Sequence, residues 1–198
     1  MASQQSDVWA VTSPTSDADF FVAEVKPTEA TALTLAGTIP GVNGTGYKVT
    51  ITSDGDDDDV AFTVTGVASN GVSLAEVVTG PDATSVTSTN YFATVSGVSC
   101  NSATDGNVTV GYSSAGGFSL PMTRIKGLYY VGNTQAGAVV ATRTSDSRVL
   151  LDLKTPAGSG AFSDSLYIAS EGIRTGKSYD DSAVVTTTNL TSLTLFCG

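Results

Sequence analysis

Apolar residues in this chain recur at every second position, in short runs broken by turn residues. Tyr47, Val49 and Ile51 alternate with Lys48, Thr50 and Thr52, and Phe62 and Val64 alternate with Ala61, Thr63 and Thr65. Period two marks a strand with one buried face, because successive side chains point to opposite sides. Asn70-Gly71 separates Val67–Ser69 from Val72–Val78, which predicts a hairpin with a two-residue turn at positive φ. Gly80-Pro81-Asp82 ends that strand, and Tyr91–Ser96 and Asn107–Tyr112, split by Asp105-Gly106, complete this part. Further along, the strand candidates are Met122–Val131, Ala138–Thr144, Val149–Leu153, Ser165–Ile168, Ala183–Thr187 and Ser192–Cys197. In the last of these, Leu193, Leu195 and Cys197 share one face. No segment carries a sustained apolar stripe of helical period, and the spacing of turn signals fits an all-β sandwich.

Charge divides the chain. Residues 1–116 hold 13 acidic groups against Lys26 and Lys48, whereas residues 117–198 hold 6 acidic and 7 basic groups. The step falls near Ser113-Ser114-Ala115-Gly116-Gly117, followed by Pro121, and small flexible residues of this kind mark boundaries. The expected organisation is two small antiparallel β-sandwich domains in series: an acidic one over 31–114, a linker at about 113–121, and a second over 121–198. Residues 1–30, with Trp9, Phe20 and Phe21 among Ser, Thr and Asp, read either as an N-terminal arm or lead-in segment or as a first strand near Phe20–Val25.

Composition narrows the function. Charged residues make up only 14% of the chain, against about 25% in typical domains, which argues against a highly charged disordered chain or a coiled coil. The net charge of −10 and the lack of any Lys/Arg cluster make nucleic acid and anionic membranes poor partners. No apolar run approaches the length of a transmembrane helix, and the first residues lack a signal-peptide pattern, so a soluble protein made in the cytosol is expected. The chain has no histidine, which rules out a Ser-His-Asp triad and a His-containing zinc site. Cys100 and Cys197 are too few for a Cys-only metal site, and both are expected to be reduced.

Three local patterns invite a chemical reading. Asp54-Gly55-Asp56-Asp57-Asp58-Asp59 offers hard oxygen ligands for a cation such as Ca²⁺, but departs from the EF-hand pattern. The plainer reading of Asp56, Asp57, Asp58 and Asp59 is a solvated acidic loop. Glu171 through Ser178 ends in Gly-Lys-Ser, but Glu171 stands where a phosphate-binding loop needs glycine and no helix pattern follows. Gly111 through Ala115 echoes a nucleophile elbow without a base or a following helix. No catalytic residue, cofactor site or metal site is therefore assigned, and no enzymatic activity is expected.

Two stretches carry a resemblance. One runs through Val60–Gly66, Glu76–Pro81, Ser85–Phe92, Val95–Ser99 and Gly106–Tyr112; the other through Arg124–Val131, Ala136–Val140, Glu171–Arg174 and Leu193–Phe196. Together they resemble small all-β structural proteins of tailed bacteriophages, over roughly residues 45–198. The resemblance implies a non-enzymatic virion protein, made in the host cytoplasm and incorporated into the particle. A capsid decoration or cement protein bound to the major capsid protein in many copies is the leading expectation. A tail, neck or fibre-base component is the alternative, and a carbohydrate-binding or adhesion β-sandwich stands outside the virion reading. A homo-oligomer, a trimer first, is expected, with the near-neutral C-terminal domain docking or, in the opposite polarity, Trp9, Phe20 and Phe21 gripping a neighbour.

Overall fold

The computed structural model describes residues 8–12, 16–37, 46–68, 71–120, 123–158, 163–168, 171–177 and 183–198. Every regular element among them is a β-strand, and every pairing whose register is described is antiparallel. The first strands are β1 (Val8–Thr12), β2 (Asp17–Val25), β3 (Thr31–Ala32), β4 (Gly46–Ser53) and β5 (Ala61–Val67). They are followed by β6 (Ser73–Thr79), β7 (Ser85–Thr87), β8 (Thr94–Cys100), β9 (Val108–Leu120) and β10 (Arg124–Gly132). The last are β11 (Gly137–Arg143), β12 (Val149–Thr155), β13 (Ser163–Tyr167), β14 (Ile173–Arg174), β15 (Ala183–Thr188) and β16 (Leu190–Cys197).

The chain forms two compact units, one of residues 14–114 and one of residues 1–13 with 115–198. In the unit 14–114, β3-β8-β5-β6 make one sheet, while β4 lies between β7 and β9 and β2 also pairs with β9. The alternation read from the sequence sets the faces here: Tyr47, Val49, Ile51, Phe62 and Val64 are buried and the threonines between them are half-buried. Val49, Ile51, Phe62 and Val64 join Phe21, Val22, Phe92, Val95, Val98, Val108 and Val110 in one core. Across the β5–β6 turn, Ala68 N–H donates to Val72 O at 2.9 Å and Gly71 N–H to Ala68 O at 2.9 Å. Gly71 has the positive φ, 82°, expected of its turn position; Asn70, the other residue of the expected turn, lies outside the described residues.

In the other unit, β1-β16-β10-β13 form a sheet with β14 also on β10, and β12-β11-β15 continue onto residues 116–120 of β9. Its core is aliphatic: Leu120, Ile125, Leu128, Val139, Val185, Leu190, Leu193 and Leu195, with Tyr130 and Cys197. Cys100 and Cys197 are both buried and are not joined in a disulfide.

Two expectations need correction. The units divide between Ser114 and Ala115, within the expected linker at 113–121, but that stretch is strand rather than loop as far as Leu120, with Pro121 outside the described residues. Gly116 and Gly117 are buried opposite Thr187 and Thr186, where their small size suits a buried strand position. The lead-in is strand as well: Asp17–Val25 pairs with β9, the second of its two readings, and Val8–Thr12 pairs with β16.

Candidate interaction surface

The acidic run is divided by the fold. Ser53 is the last residue of β4 and faces inward, and the chain turns back so that Asp57 is fully buried. Asp57 accepts a hydrogen bond from Ser53 Oγ at 2.5 Å and another from Asp105 N–H at 2.6 Å. Its own N–H donates to Pro81 O at 3.0 Å. Asp54 accepts from the Asn107 backbone N–H and from Asn107 Nδ2. That backbone bond, then the side-chain bond, holds the Asp54 carboxyl below its ordinary range. Asp56, Asp58 and Asp59 are exposed. Asp57 is therefore not solvated, as the sequence suggested, but ties the β4–β5 loop to the turn before β9. Among the described residues, no three His, Cys, Asp or Glu side chains converge as a metal site would require.

The aromatic residues singled out near the N-terminus part company. Phe21 is buried in the core and Phe20 packs against it, their rings edge-to-face at 5.2 Å. Phe20 also meets Tyr112 edge-to-face at 5.2 Å. Both side chains are committed to the interior of their own unit. Trp9 sits in β1 opposite Leu195; its side chain lies outside the described residues.

The other two motifs are structural. Gly111 through Ala115 lies within β9. In the 171–178 segment, Ile173 and Arg174 pair with Ile125 and Arg124. Buried Thr175 receives Thr123 N–H at 2.7 Å and donates to Thr123 O at 3.1 Å; Ser178 is outside the described residues. Nearby, Asp146 bonds Lys177 Nζ at 2.5 Å and Arg143 Nη1 at 3.2 Å. The Lys177 hydrogen bond is the chief reason its carboxyl is pulled down to about 2.

The surface that stands out was not singled out by sequence. Phe196, Gly127 and Tyr167 are neighbours in register across β16, β10 and β13, and Thr194, Tyr129 and Ser165 form the next row. Cross-strand neighbours share a face. The opposite face carries Leu195, Leu128 and Leu166, of which Leu195 and Leu128 are in the core. The outer face thus presents Phe196, Tyr129 and Tyr167, with Tyr167 79% exposed. A groove of about 330 Å³ opens there, lined by Lys126, Gly127, Leu128, Ser165, Leu166, Tyr167 and Phe196. Gly127 forms its floor: a Cβ there would stand 3.2 Å from Leu166 O and 3.7 Å from the Phe196 ring. A signal was present in the sequence, since burying Leu193, Leu195 and Cys197 turns Phe196 outward. Compared with known proteins, the chain matches no family model and no curated sequence.

Proposed function

We propose that this chain is a non-enzymatic structural protein of a tailed-phage virion, held in the particle by protein–protein contacts, first as a capsid decoration protein. The observation that carries this reading is the aromatic outer face of β16, β10 and β13, which lies in the near-neutral part of the chain. Exposed aromatic groups clustered on one face are characteristic of surfaces that become buried on association. That part docks, and the acidic unit 14–114 provides the solvated charge that keeps the protein soluble before assembly. We read each unit as a small β-sandwich. In its support, the core of 14–114 draws side chains from strands of both its sheets. A trimer follows from the local symmetry of a phage shell.

The test is the copy number of the protein in purified particles, with and without the double substitution Tyr167→Ala and Phe196→Ala. A copy number matching the shell lattice, lost in the variant, supports the decoration reading. A number matching a single ring indicates the tail, neck or fibre base, and absence from particles overturns the virion reading. The open glycine floor between aromatic side chains also favours a second reading, a glycan-binding module. Binding of the free protein to a glycan array, weakened by Tyr167→Ala, would select it.

A further inference from the structure

β12 ends its sheet: among the described residues it pairs with β11 alone. An unpaired edge is a template for another strand. Its inward side chains Leu151 and Leu153 stay half-buried, although their partners Ala141 and Val139 are fully buried. Its outward side chains are Asp152 and Lys154, both exposed and joined by an ion pair of 2.8 Å.

We propose that β12 pairs antiparallel with β12 of a second copy, about a two-fold axis at Leu153. This goes beyond the virion reading and does not depend on it. The charge pattern selects both the partner and the register. With Leu153 opposite Leu153, Asp152 of each copy faces Lys154 of the other, and Leu151 faces Thr155 on the core side. A slip that keeps the faces matched moves the axis by one residue. It then sets Asp152 against Asp152, or Lys154 against Lys154, and like charges directly opposite destabilise a pair. The contact is isologous, so one strand supplies both halves. It joins copies in pairs; under the virion reading it would link neighbouring trimers rather than close one. A single strand pair is small beside the roughly 1,000 Å² of a stable interface. The pairing is therefore weak between free chains and strong where a surface already holds copies side by side.

Covalent trapping in the full-length protein tests this. Cα atoms directly opposite in an antiparallel pair lie within about 4.5–5.5 Å, inside the range a disulfide spans. Leu153→Cys should give a disulfide-linked dimer on mild oxidation, while Val149→Cys, exposed but off the axis, should stay monomeric. Adding Lys154→Glu to Leu153→Cys should lower the cross-linking rate roughly tenfold. The exchange Asp152→Lys with Lys154→Asp, which leaves the core-facing residues untouched, should restore it. Equal cross-linking through Val149→Cys, no dimer from Leu153→Cys, or no rescue by the exchange would each overturn the proposal.

Discussion

In the unit of residues 14–114 the aromatic side chains are inside; in the unit that holds 115–198 most of those described are outside. Phe21, Tyr47, Phe62 and Phe92 are buried, and Phe20, Tyr91 and Tyr112 are half-buried. In the other unit Tyr130 is buried, while Tyr129, Tyr167 and Phe196 are exposed. The two share one strand grammar and nearly the same aromatic vocabulary, yet one buries its rings and the other exposes them. Charge follows the same division. The acidic unit even draws one of its carboxylates, Asp57, into the interior as a hydrogen-bond acceptor.

The sharpest way to break this comparison is to remove a ring from each side. Phe62→Ala empties a fully buried site and should cost about 3–5 kcal/mol, read by denaturant unfolding. Tyr167→Ala should change stability by no more than about 0.5 kcal/mol; under the proposed function it also reduces incorporation into particles. If both variants lose stability equally, the exposed rings are part of a core and the contrast fails.

Carboxylates give a smaller version of the same contrast. Asp57→Ala strands the Ser53 hydroxyl and the Asp105 N–H, and should cost about 1–3 kcal/mol. Asp58→Asn and Asp59→Asn should stay within about 0.5 kcal/mol. Melting temperatures measured side by side would decide it.

Alkali should weaken the protein through its tyrosines. Burial raises Tyr47, with Tyr112 adding to it, and burial also raises Tyr91, Tyr112 and Tyr130 above their usual value. A raised folded value means that the stabilisation is complete below the ordinary tyrosine range. It is lost as pH rises through the folded values. Melting temperature should therefore fall above about pH 10, and Tyr47→Phe should soften that fall.

The smallest expected effect is at Asp146. Its lowered value gives a contribution present above the ordinary carboxylate range and lost as pH falls towards about 2. Lys177→Met should move the Asp146 titration, followed by NMR, back towards that range. Because the pair is surface-exposed, stability should change little.

Where a strand had one wet face, its place was legible: Tyr47, Val49 and Ile51, or Leu193 and Leu195, declare the buried side by alternation alone. What misled was side-chain size. Ser113 through Gly117 has the composition of a joint, but small residues also suit strand positions where neighbouring backbone crowds close. Only the pairing with Thr186 and Thr187 tells the two apart. The Asp54–Asp59 run likewise looks uniform in sequence. Only the return of residues 105–107 to the same place separates buried Asp57 from exposed Asp58. The aromatic face was hidden for a further reason, since its three rings lie on strands far apart in the chain and meet only through register.

The pairing of β1 with β16 sets a clock. During synthesis, Val8–Thr12 emerges long before Leu190–Cys197, and at about 5–20 residues per second the wait is on the order of ten seconds or more. Residues 14–114 are contiguous and complete within that delay. The sheet to which β1 belongs cannot be finished before β16 arrives. Phe196 rides on that same late strand, and the groove it forms with Gly127 and Tyr167 does not exist until then. Until Leu190–Cys197 has been made, the aromatic face has no third strand, so this surface forms later than the core of residues 14–114.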